Sequence, residues 1–160
     1  HLMAIGRRRV VFLGDVSHIE IGLRHRGLVD ALTSMDQTST QTLTLSMPFD
    51  GASAYDATRE LFGDRVWHDA VFAASDILAI AAMQALTDLN IRVPEDVAVI
   101  GYDDTSVSAL VSPALTTVRQ DTAAGGRALV EKLLAAIDGD LPGDLILPTH
   151  LVVRRSCGAT

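Results

Sequence analysis

A single cysteine, Cys157, is all the thiol that this 160-residue chain has. One thiol closes no intramolecular disulfide and builds no cysteine zinc cluster, so neither device is expected to hold the fold, and a reducing compartment is the mild inference. Basic charge is scarce too: 13 lysines and arginines stand against 20 aspartates and glutamates, a formal net charge of −7. Nucleic-acid affinity comes mostly from neutralising phosphates with a basic face, so this composition argues against nucleic-acid contact by these residues. Arg7, Arg8 and Arg9 form the one basic run, followed by Arg24, His25 and Arg26, and the run reads as cations placed at a helix carboxyl end. No apolar stretch reaches the roughly 18 residues that a membrane helix needs, and no charged-then-apolar leader opens the chain. Internal repeats and low-complexity linkers are also missing.

Sequence motifs for catalysis are equally sparse. There is no GxGxxG and no phosphate-cradling GxxxxGK[ST], and no cofactor is expected. Gly51-Ala-Ser53-Ala-Tyr55 lacks the closing glycine of a nucleophile elbow. His18-Ile-Glu20 is half of a zinc-deaminase motif without its paired cysteines. Asp103 and Asp104 are adjacent carboxylates that read as a turn and cap rather than a metal site. The expectation is a protein with no catalytic residues and no metal, not an enzyme.

What the chain does have is a 48% hydrophobic content, enough for a sizeable core at single-domain length. Apolar patterning alternates between strand and helix, as in parallel βαβ units. Strands are expected at 8–13, 40–45, 70–74, 97–102, 116–118 and 145–154, and helices at 19–34, 53–62, 76–89 and 122–138. The run 97–102 is continuous and β-branched, as suits a strand buried on both faces, and it delivers Asp103 and Asp104 at its carboxyl end. In open α/β sheets that end forms the ligand crevice. The helix at 76–89 carries Leu78, Ala81, Ala82, Ala85, Leu86 and Leu89 on one face, and Ile77, Ile80 and Gln84 with Met83 on another. The second stripe belongs either to a deeply buried helix or to a subunit interface.

Five segments in order resemble one family. They are IGRRRVVFLGD at 5–15, Arg24-His-Arg-Gly27, AVFAASDILAIAAMQAL at 70–86, PEDVAVIGYDDTSVSALVSPALTTVRQ at 94–120, and LPTHLVVRRS at 147–156. Together they resemble the effector-binding portion of the lactose-repressor family of bacterial transcription regulators. The resemblance implies a flavodoxin-like parallel-sheet lobe of a type I periplasmic-binding-protein fold. By the same resemblance the DNA-binding headpiece, the hinge and most of the amino-terminal lobe lie outside this chain, and HLMAIG at 1–6 looks like the end of a preceding helix. Residues 1–120 would form the carboxyl-terminal lobe. Residues 121–148 would cross to the amino-terminal lobe, and 149–160 would return to close the carboxyl-terminal one.

The resemblance further implies an effector that is a sugar or related polyol, a homodimer, a cytoplasmic setting, and operator DNA bound only through the headpiece. Arg24 would donate paired hydrogen bonds to hydroxyls, where it otherwise reads as a solvated helix arginine, and Gly27 would permit close backbone approach. Asp103 would accept from hydroxyls, and otherwise caps a loop. Phe49 is either a sugar-stacking aromatic or a core residue beside Pro48. Ser75 stands where the family usually has asparagine, a shorter group with less reach, and Asp76 is expected to cap the helix that follows. Gln120, His18 and Glu20 complete the expected effector-binding set. Ile80, Met83, Gln84, Leu110 and Val111 would form the dimer interface. The stripe Gly126, Leu129, Val130, Leu133 and Ile137 is expected to find a covering surface on another copy, or to be disordered. A periplasmic sugar-binding protein of a transport system is the alternative.

Overall fold

Six strands and four helices alternate in a computed structural model that describes residues 1–34, 41–64 and 66–158. In chain order they are β1 (Arg9–Leu13), α1 (Ile19–Ser34), β2 (Gln41–Leu45), α2 (Gly51–Gly63), β3 (Ala70–Ala73), α3 (Asp76–Asp88), β4 (Ala98–Asp103), β5 (Thr116–Gln120), α4 (Thr122–Ile137) and β6 (Thr149–Val152). A 3-10 turn, Ser106–Ala109, joins β4 to β5, and another, Arg155–Cys157, follows β6. Thr40, expected at the start of the second strand, lies outside the described residues.

The strands form one sheet in the order β2-β1-β3-β4-β5-β6. The first five run parallel, with Val10 opposite both Thr42 and Ala70, and Ile100 opposite Thr116. Only β6 is antiparallel, pairing Thr149 with Gln120 and Val152 with Thr117. This is the doubly wound order whose direction of winding reverses between β1 and β3, and the loops at that reversal open a crevice at the strands' carboxyl ends.

Alternation along the strands divides the core between the two faces of the sheet. Val10, Ala70, Ala98 and Ile100 pack with Leu2, Met3 and Cys157 under Leu28 and Leu32 of α1. Val11, Leu13, Val71, Ala73, Val97 and Val99 pack with Ala54 and Phe62 of α2 and with Leu78, Ala82 and Leu86 of α3. A β1 residue buried on either face has no solvated side, which is why these segments read as unbroken apolar runs. The residues 1–6 form turns rather than a regular helix, yet Leu2 and Met3 are buried.

Several boundaries differ from those expected, each for a local reason. The second helix begins at Gly51 rather than 53, because Asp50 accepts a hydrogen bond from the Ser53 N–H and so caps it two residues earlier. Of the last segment, 145–154, only Thr149–Val152 pairs with β5; Pro148, immediately before it, has no N–H to give a ladder. The fifth strand correspondingly runs on to Gln120, since β6 supplies its outer partner.

The segment 121–148 stands apart from both cores. Helix α4 is formed and capped by Asp121, yet none of its residues is buried. Leu129, Val130, Leu133, Leu134 and Ile137 are all more than half exposed.

Candidate functional site

The loops after β1, β2 and β4 meet at the carboxyl edge of the sheet. They enclose a concavity of about 260 Å³ lined by His18, Glu20, Ile21, Arg24, Phe49 and Asp103. The loop after β1 can approach because Gly14 (φ +156°) has no side chain: a Cβ there would sit 2.6 Å from that of Ala74. Asp15 then turns the chain by accepting the Ser17 N–H at 3.0 Å, and hydrogen bonds from Ser17 hold its carboxyl below the usual carboxylate range. Helix α1 starts at this turn and presents Glu20 and Arg24 one helical turn apart.

Arg24 is held on two sides. Its Nη1 donates to the Ala74 carbonyl at 2.6 Å, and its guanidinium lies 3.9 Å above the Tyr102 ring. A planar cation stacked on an aromatic face loses little freedom on binding, which suits its remaining N–H groups to a ligand. Tyr102 was not among the residues singled out in the sequence, although its place beside Asp103 at the end of β4 was a usable signal. Gly27 borders open space on its Cβ side, so no close backbone approach is made there.

Asp103 and Asp104 adopt φ of +110° and +53°. Backbone in such regions costs a non-glycine residue on the order of 1–3 kcal/mol. The two carboxylates engage different partners. Asp103 lines the concavity and accepts from Gln120 Nε2 at 2.7 Å. Burial pushes its carboxyl above the usual range, against the opposing pull of Arg24 and the Gln120 hydrogen bond. Asp104 accepts from Arg119 at 2.5 Å and from Arg154 at 2.7 Å. Burial would raise its carboxyl as well, but the two arginines hold it below the ordinary value. Neither aspartate caps the following turn, whose start at Thr105 makes no side-chain cap.

Phe49 is 50% exposed at the mouth of the concavity, which excludes the core role weighed for it. His18 faces Asp15 at 3.6 Å. Ser75 is elsewhere: buried, it caps α3 by accepting the Leu78 N–H at 3.4 Å. Its hydroxyl is therefore engaged in the fold and does not line the concavity. The cap expected of Asp76 thus falls to Ser75. Asp76 is instead a buried acceptor, receiving the Thr105 N–H at 2.7 Å and hydroxyls of Thr105, Ser108 and Thr117 at 3.0, 2.5 and 2.5 Å. It ties α3 to the loop after β4 and to β5. Gly101 makes room for it, since a Cβ at that position would lie 2.5 Å from Asp76 Oδ1.

The residues expected at a subunit interface lie apart from the concavity. Ile77 and Leu110 are 56% and 81% exposed, Ile80 and Val111 are half-buried, and Gln84 is exposed. Met83 differs from expectation: it is buried in the protein's own core beside Leu86. It sits one residue off the exposed stripe and turns toward the sheet. Among the described residues no group of three or more His, Cys, Asp or Glu could hold a metal ion. No described helix is long and apolar enough to cross a membrane.

A parallel sheet with its concavity at the strand tips, and a helix α4 with no buried residue, mark a doubly wound α/β domain. The sequence matches the family of periplasmic binding protein-like domains over residues 1–157. It is 38% identical over 97% of its length to the HTH-type transcriptional regulator CelR of Thermobifida fusca, covering 46% of that protein. It is similar to a solved transcriptional regulator CelR–cellobiose complex, with a TM-score of 0.83 and 37% identity, over 97% of this chain and 48% of that one. It is also similar to the lac repressor dimer bound to operator and the anti-inducer ONPF, with a TM-score of 0.89 and 30% identity, over 99% of this chain and 48% of that one. The chain belongs to the periplasmic binding protein-like domains of the lactose-repressor family. It spans about half the length of the relatives it matches.

Proposed function

We propose that this chain is the carboxyl-terminal lobe, with its crossover, of the effector-sensing portion of a transcription regulator, and that the effector is a sugar-like polyol. The observation that carries this reading is the convergence of Arg24, on α1, and Asp103, at the end of β4, on one concavity with Phe49 exposed at its mouth. A fixed donor fork, a fixed carboxylate acceptor and an apolar ring face are the groups that recognise vicinal hydroxyls and a pyranose face. His18 and Glu20 line the same wall, and Gln120 acts by orienting Asp103.

Residues 121–148 cross to a second lobe formed by other parts of the protein, which covers the apolar stripe of α4 and supplies the opposite wall of the cleft. Effector then works by binding one arrangement of the two lobes better than another, since equal affinity would transmit nothing. Ile77, Ile80, Gln84, Leu110 and Val111 form a homodimer surface, and operator DNA in the cytoplasm is contacted by residues outside this acidic chain. Exposed apolar residues at that surface, and the regulators among the relatives, favour this over the transport receptor. Calorimetry of the complete gene product against a sugar panel that includes cellobiose tests the reading. Saturable binding by one member is expected, weakened about a hundredfold or more by Arg24→Ala, which removes a charged donor pair. Full affinity in that variant would refute the assignment of the site.

A further inference from the structure

Parallel α/β sheets aim helix amino ends at the ligand edge, and such ends ordinarily attract anions. In this chain each end already holds a carboxylate of its own. Glu20 lies in the first turn of α1 and Asp76 in the first turn of α3. Asp50 accepts both the N–H and the hydroxyl of Ser53 at 2.8 Å at the start of α2, and Asp121 accepts the Ala124 N–H at 2.8 Å at the start of α4.

The side chains around the concavity carry the same sign. Arg24 is the one permanent cation among its lining residues, and it is committed to the Ala74 carbonyl and the Tyr102 ring. His18 faces Asp15. Glu20 and Asp103 supply two carboxylates. Glu20 stands four residues before Arg24, a spacing that commonly forms an ion pair. Arg24 turns away from it, and Glu20 makes no hydrogen bond or ion pair among the described residues. Its carboxylate is left as an acceptor at the rim of the site.

On the strength of the sugar-sensor reading above, we infer that the effector carries no negative charge and that Glu20 is the residue that enforces this. A neutral or amino-bearing polyol donates a hydrogen bond to Glu20. A sugar phosphate or uronate instead meets Glu20 and Asp103 across a concavity whose one lining permanent cation, Arg24, is already engaged on two sides. Burial already holds the Asp103 carboxyl above its usual range, and a second anion beside it would deepen that cost.

The test is calorimetry of the complete gene product at low salt with matched sets: glucose, glucosamine, glucuronate and glucose 6-phosphate, the galactose equivalents, and cellobiose. For any scaffold that binds, the anionic members are expected to be at least about tenfold weaker than the neutral parent. Glu20→Gln narrows that ratio several-fold and Glu20→Lys narrows it further, and in the unmodified protein the ratio shrinks as salt is raised. Glu20 is exposed, and thermal melts of both variants confirm that the fold is kept. An anionic member binding as tightly as its neutral parent, or a ratio unmoved by Glu20→Lys, overturns the inference and leaves the sugar-sensor reading standing. Failure of every sugar to bind removes that reading and the inference with it.

Discussion

Two neighbouring aspartates with the same intrinsic chemistry do different work here, and their surroundings decide which. Asp104 is neutralised by Arg119 and Arg154 and fastens the end of β4 to β5 and to the segment after β6, whereas Asp103 is half-buried with one oxygen left to accept. Because burial raises the folded-state value of Asp103 above 3.8, the folded protein holds that proton longer than the unfolded chain does. Its contribution therefore favours folding at low pH and is lost as pH rises through the folded value. Asp103→Asn removes that cost, keeps an acceptor for Gln120 and tolerates the positive φ. It is expected to raise the melting temperature near neutral pH, with the gain fading toward about pH 4, while effector affinity falls about tenfold or more. Paired melts and calorimetry check both halves, and a lower melting temperature at neutral pH would contradict the account. At this scale the sequence pointed to Arg24, Asp103, His18, Glu20 and Phe49, which the fold brings to one concavity. It misled at Ser75 and Asp76, because a serine and an aspartate at a helix start can each cap, and only packing shows which one is buried under hydroxyls.

At the scale of elements, the junction of α3, β4 and β5 is organised around a buried carboxylate rather than by apolar packing alone. Asp76 satisfies three hydroxyls and one backbone N–H, and Gly101 is the small residue that admits it. Removing one partner of a buried charged network leaves the others desolvated and unpaired. Asp76→Ala is thus expected to destabilise the fold by about 3 kcal/mol, measured by denaturant unfolding, and to loosen the loop that presents Asp103. A loss well below 1 kcal/mol would mean that the hydroxyls find other acceptors. The helices and parallel strands were legible from period and β-branching, since each must bury a defined face. Their ends were less so: the Asp50 cap sets the start of α2 two residues before the expected one, which periodicity does not register.

On the scale of the whole molecule, the unfilled surfaces describe what the chain must meet. Leu110 and Ile77, 81% and 56% exposed, are large apolar side chains of the kind that subunit interfaces cover. Leu110→Asp in the complete gene product is expected to shift it from dimer toward monomer without lowering its affinity for effector, read by light scattering and calorimetry; an unchanged mass would place the interface elsewhere. The stripe on α4 makes a separate demand, since large aliphatic side chains left in water forgo roughly 1.5–3 kcal/mol each. What the sequence determined by itself was the succession of strands and helices, the acidic balance and the placing of Asp103 at a strand's carboxyl end, because period, composition and chain position are local properties. Only the tertiary structure decided that Arg24 leans on Tyr102 and not on Glu20, that Met83 turns inward while Ile77 turns outward, and that Asp76 serves the fold and not the ligand. Those outcomes depend on which groups from distant segments share the same desolvated space, a competition that no single segment can resolve.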